Sequence, residues 1–129
     1  MNKDNLRTLA EYLLRPKLEA RFDMASYAET FNRRTTCGTV GCAVGHGPYA
    51  GIKKLLNENW LEYTERVFVI PSGLTEATWC FSSAWALFDN TPEGAAHRIL
   101  YLVKHGKPPT NFLSHWERYR TGWWRKGAS

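Results

Sequence analysis

This sequence predicts a mainly α protein in one domain, and three observations carry that prediction. Apolar residues recur at helical spacing near both ends, at Leu6, Leu9, Ala10 and Leu13 and again at Ile99, Leu102 and Val103. Runs with strand character are confined to Val67-Phe-Val-Ile70 and a short alternation from Phe22 to Tyr27, too few for a substantial sheet. The 129 residues suffice for a core without disulfide staples, since a domain of this size hides roughly two-thirds of its unfolded surface. Roughly five to seven short helices are expected, with at most a minor β-hairpin or extended segment. The domain is expected to span 1–122 and a basic aromatic tail 123–129.

In order, the first helix covers Asp4 to Arg15, with Asp4 or Asn5 as its cap and Pro16 interrupting it. Phe22 to Tyr27 reads as a short strand or extended segment. Ala28 to Thr36 is a polar approach containing Arg33 and Arg34. It leads to the least polar stretch of the chain, Cys37 to Gly51, in which fifteen residues hold two cysteines, one histidine, five glycines and no charged residue other than that histidine. So uncharged a segment is expected to be buried, its glycines allowing backbone or ligand to approach closely. Thr35 or Thr36 would cap a helix from Thr39 to His46, and Pro48 would open another running to Leu56.

A helix is expected from Trp60 to about Glu65, ending in an extended Val67 to Ile70. Pro71-Ser-Gly73 is a turn, and Thr75 would cap a heavily aromatic helix from Glu76 to Phe88. The clearest local signal is Asp89-Asn-Thr-Pro-Glu-Gly94: Thr91 as N-cap, Pro92 as first helical residue and Glu93 facing the positive helix end. That helix runs to Lys104 or His105, its inward face formed by Ala95 or Ala96, Ile99, Leu102 and Val103, and Gly106 ends it. Thr110 would cap a last helix in which Phe112, Leu113, Trp116 and Tyr119 share a side.

Cys-Gly-Thr-Val-Gly-Cys-Ala-Val-Gly-His (37 to 46), together with Thr-Pro-Glu-Gly-Ala-Ala-His-Arg-Ile (91 to 99), resembles a family of small, uncharacterised bacteriophage and bacterial proteins. These pair a Cys-Gly-Thr-x-x-Cys-x-x-Gly segment with a later Thr-Pro-x-x-Ala-Ala-x-Arg-Ile helix. The resemblance spans roughly half the chain and carries no activity with it. It implies a phage accessory protein, a setting in which small proteins often bind and divert a host component.

Three chemistries compete for the remaining residues. Cys37, Cys42 and His46 form C-x4-C-x3-H, donors that zinc accepts, with Cys80 or His97 as a distant fourth ligand. The same stretch offers Cys37 as a nucleophile at a helix N-terminus, with His46, His97 or His105 as base and the Gly38 and Thr39 amides as oxyanion donors. In both cases packing is the competing reading: small apolar cysteines and a histidine bonded at a helix end. The third possibility lies at the C-terminus, where Trp116, Tyr119, Trp123 and Trp124 interleave with Arg118, Arg120, Arg125 and Lys126 against Glu117 alone.

Such a segment suits nucleic acid, through stacking and phosphate neutralisation, or a protein partner, because Trp, Tyr and Arg dominate binding hot spots. An excess of only three charges favours the protein. The expected function is therefore binding of a host or phage protein, to modulate a host process or defence system. Nucleic-acid binding and a cysteine- or zinc-dependent enzyme are the alternatives. No cofactor is expected unless zinc. No run reaches membrane-spanning length, and Met-Asn-Lys-Asp-Asn leads into an amphipathic segment rather than a signal core, so the chain is expected in the cytoplasm of a bacterial host. Nothing in the sequence sets an oligomeric state.

Overall fold

The computed structural model describes residues 1–18, 21–22, 24, 40–41, 43–71 and 74–126. Among them are four α-helices, α1 (Lys3–Leu13), α2 (Trp60–Val67), α3 (Thr75–Phe81) and α4 (Pro92–His105), linked by short 3-10 turns. The only pairing of extended chain among the described residues is β1 (Arg21–Phe22) beside β2 (Val40–Gly41), and it is parallel, so no hairpin is involved. The fold class is the mainly α one the sequence predicts. No helix among the described residues is long and apolar enough to cross a membrane.

The core forms where α1 lies along α4. Leu6, Leu9, Ala10 and Leu13 on α1 and Ala95, Ala96, Ile99 and Leu102 on α4 are all buried, as their spacing requires. Each fully buried aliphatic side chain contributes about 1.5–3 kcal/mol. The caps of α4 follow the sequence: Thr91 accepts from the Gly94 amide at 3.0 Å, Pro92 opens the helix, and Gly106 closes it at φ 77°. The cap of α1 falls earlier than expected. Asn2 accepts from the Asn5 amide, which frees the Asn5 side chain to donate to the Val67 carbonyl at 2.7 Å and bind the start of α1 to the end of α2.

Five expected elements differ. The helix from Thr39 to His46 is replaced by β2 and a 3-10 turn at Val44–His46, and the helix to Leu56 by a 3-10 turn at Pro48–Ala50 closed by Gly51 at φ 96°. Glycine density explains this, because each glycine in a helix interior costs about 1 kcal/mol. One of these glycines also has a packing role. A Cβ on Gly47 would stand 2.2 Å from the Tyr63 hydroxyl, which donates to the Ile52 carbonyl beside it. The expected burial of this stretch does hold for Ala43 to Gly47.

Val67 to Ile70 forms no strand. Val67 completes the buried face of α2, Phe68 caps it, and Val69 turns at φ 54°. Strand propensity yields here because Val67, Phe68 and Ile70 all reach the core without a partner strand. The aromatic helix of 75–88 breaks at Ser82, whose extended backbone and hydroxyl, accepting from the Ala84 amide, start a 3-10 turn at Ser83–Leu87. In an unbroken helix Trp79 and Trp85 would project about 120° apart. The break buries both, with their rings edge to face at 5.4 Å.

The last expected helix is three 3-10 turns, Phe112–Ser114, Trp116–Tyr119 and Trp123–Lys126, preceded by Asn111 at φ 60° and broken at His115 and again at Gly122, at φ 90°. Phe112 is buried and Leu113 is not, so the two do not share a side. Trp123 is only 6% exposed and sits in the core, where the sequence reading starts a tail.

One buried ion pair ties these parts together. Asp89 and Arg98 are wholly buried and meet at 3.3 Å. The other Asp89 oxygen accepts from the Thr91 hydroxyl at 2.6 Å and the Thr121 hydroxyl at 3.1 Å. A Cβ on Gly94 would fall 1.7 Å from Asp89 Oδ2. Gly94→Ala is therefore expected to expel the carboxylate and destabilise the fold by about 3–5 kcal/mol, the cost of breaking a buried pair, measured by urea unfolding against the parent. A loss below about 1 kcal/mol would mean that Asp89 can turn aside without cost.

Candidate binding face

Of the expected metal or nucleophile set, Cys37 and Cys42 lie outside the described residues, as do Arg33 and Arg34. His46 is fully buried, with the rings of Tyr12, Phe22 and Tyr49 around it at 6.2, 5.6 and 6.3 Å. That is the environment of a packed histidine. Among the described residues no three His, Cys, Asp or Glu side chains gather as metal ligands. Cys80 is buried, and burial pushes its thiol far above the ordinary range. It is neither a poised nucleophile nor a ready thiolate ligand.

The C-terminal candidates divide by side chain. Trp123 joins Tyr101, Phe112, Tyr119 and Trp85 around Trp79, all with ring centroids 5.0–5.8 Å from it and edge to face. Trp116 is half-buried and stacks on Phe88 at 5.5 Å. Trp124 is half-buried and stacks on His97 at 4.7 Å, the two planes 12° apart, with the Arg125 guanidinium 5.4 Å from its centroid. Arg118, Arg120 and Arg125 are exposed, Arg120 reaching within 5.9 Å of the Phe88 ring. Lys126 closes the last turn, and its side chain lies outside the described residues. The aromatics thus face inward or pair with one another while the cations point outward.

The exposed side of α4 extends this face, which the C-terminal motif alone does not reveal. His97, Tyr101, Lys104 and His105 are spaced four, seven and eight residues along α4, which puts them on one side of the helix. With Trp123 and Trp124 opposite, they enclose a pit of about 100 Å³. Tyr101 and His105 are in contact, their ring centroids 4.2 Å apart. The charge distribution is a signal that could have found this extension. Seven of the chain's seventeen basic residues and two of its twelve acidic ones fall within 92–126, so this segment carries the whole net charge of +5.

Elsewhere, a larger cavity of about 360 Å³ lies between α2 and α3, walled by Leu61, Thr64, Ile70, Ala77 and Phe81. Its lining is apolar side chains and hydroxyls with one carboxylate, Glu65. Beside it Arg66 clamps the 53–58 loop, its guanidinium donating to Glu58 and to the Lys53 carbonyl. The Arg66 hydrogen bond holds the Glu58 carboxyl down to about 2. Comparison with protein-family models, curated proteins and solved structures finds no match for this chain.

Burial against Trp124 lowers the His97 pKa, Asp89 pulls it back up, Arg125 pushes it down, and the net shift is downward. The imidazole is thus harder to protonate folded than unfolded. As pH falls through the ordinary histidine range the unfolded chain takes up the proton first, and stability drops. His97→Gln is expected to lose less of its urea midpoint between pH 7 and pH 5 than the parent does. Equal losses would assign the acid sensitivity to other groups.

Proposed function

We propose that this chain is a binding protein, a small phage-type accessory protein of the bacterial cytoplasm that captures an acidic host or phage protein on its C-terminal basic face. The observation that carries the reading is the excess of positive charge in 92–126 even with Arg98 buried against Asp89, with Arg118, Arg120 and Arg125 directed to solvent around half-buried Trp116 and Trp124. Cations of this kind steer an acidic partner and set the approach rate, while the aromatic edges supply the contact that desolvates on docking. A protein partner is favoured over nucleic acid because the ring faces that bases would stack on are engaged, Trp116 with Phe88 and Trp124 with His97.

The test is charge reversal. Arg118→Glu/Arg120→Glu/Arg125→Glu alters only exposed side chains, so the fold should persist by circular dichroism. Retention on an immobilised acidic peptide, acetyl-hexaglutamate amide, should fall at least tenfold relative to the parent at low salt, and the parent's own retention should weaken as ionic strength rises. Equal retention of parent and variant would overturn the reading. Tighter binding to a single-stranded oligonucleotide than to the peptide would replace it with the nucleic-acid alternative.

A further inference from the structure

We infer that the pit between α4 and the Trp123–Lys126 turn is a carboxylate subsite, taking an Asp or Glu side chain of the partner. This rests on the binding reading above and specifies its central contact. The pit's polar lining points to such a ligand. Lys104 and Trp123 can only donate, and Tyr101, His97 and His105 can each donate. Among the described residues no carboxylate lines the pit, so these walls offer the donors no anionic acceptor.

A second observation comes from Trp123. Its indole N–H is buried without a hydrogen-bond acceptor among the described residues, although the ring is itself a wall of the pit. A buried donor left unpaired costs about 1–3 kcal/mol, a cost that an acceptor brought by a ligand removes. In the inferred complex the indole N–H donates to the bound carboxylate, and the Lys104 ammonium in the lining supplies the opposite charge.

Size and charge select the ligand within the oxyanions. The pit of about 100 Å³ has room for a carboxylate and its methylenes. Lys104 is the only permanent cation in the lining among the described residues, and burial lowers the His97 pKa. One full positive charge matches a monoanion. Dianionic phosphate favours the planar fork of arginine, and among the described residues no guanidinium lines this pit.

The experiment is an NMR titration of the whole chain, following the Trp123 indole N–H resonance. Four probes are used: acetyl-hexaglutamate amide, its glutamine counterpart, a phosphoserine peptide and a single-stranded oligonucleotide. The glutamate peptide should shift that resonance downfield with saturation and the glutamine peptide should not. Lys104→Gln, a change at an exposed position, should weaken the glutamate peptide about fivefold, the effect of one partly exposed charged contact. If the peptide binds, shifting the amides of Arg118 and Arg120 while the Trp123 indole stays still, the subsite is wrong and the binding face survives. If no amide of 92–126 moves with either acidic peptide, the binding reading itself fails. Saturation of the indole shift by the phosphoserine peptide or the oligonucleotide at a tenfold lower concentration than by the glutamate peptide would overturn the carboxylate assignment.

Discussion

The contact between Asp89 and Arg98 is the constraint on which the rest of this structure depends. An arginine wholly removed from water is unfavourable unless its charge is answered, and here burial pulls the guanidinium down to about 10 while Asp89 pulls it back up. The group remains charged at neutral pH. Its other contacts spread the effect: the guanidinium lies 4.4 Å from the centroid of the Trp85 ring, and the Arg98 carbonyl accepts from the Trp79 indole at 2.8 Å. Asp89 in turn holds Thr91 at the start of α4 and Thr121 in the C-terminal turns. One pair therefore fixes α3, α4 and the last third of the chain relative to each other. Such pairs add little net stability over an apolar replacement, so its role is better understood as registry. It selects one arrangement of the tryptophans among several that would bury similar area.

Trp79 shows what that registry makes possible. Five rings meet it edge to face, from α4, the 3-10 turn after α3 and all three C-terminal turns. Each such pair adds about 0.5–1.5 kcal/mol beyond its area. The C-terminal turns have few backbone hydrogen bonds of their own, and 3-10 segments this short do not persist alone. They are held by their aromatic side chains. Because those side chains point inward, the cations between them point outward, and the charged face follows from the packing of the core.

How much of this could be read from the sequence depended on whether the deciding interaction was local. The helix α4 was legible to its ends because Thr91, Pro92 and Gly106 act within one turn of their own positions. The buried face of α1 was legible from its spacing, but its cap was not, since Asn2, Asp4 and Asn5 have similar capping chemistry and the choice is made by Val67, sixty-two residues from Asn5. The break at Ser82 was invisible because it serves two tryptophans that must meet each other. The Arg98 partner was missed for the same reason: Asp89 lies beyond the helix start, and only the turn at Thr91 brings it back. The basic face was half legible. Its C-terminal cations stand together in sequence, whereas Lys104, His97 and Tyr101 join them only once α4 has a defined outward side.

The placement of charge is what the proposed function rests on. Seventeen basic and twelve acidic residues could be interspersed so that repulsion is small everywhere, and for 1–91 the two signs balance at ten each. Within 92–126 they do not, and like charges on neighbouring turns disfavour the compact state. The arginine that could have been neutralised at the surface is instead buried and answered by Asp89, an acid from the balanced part of the chain. Arg118, Arg120 and Arg125 are all exposed, although Arg120 and Arg125 also reach over the Phe88 and Trp124 rings. Under the proposed function an acidic partner would supply the countercharge that this segment lacks, and the buried Trp123 indole, a wall of the pit and unpaired among the described residues, would lie beside it.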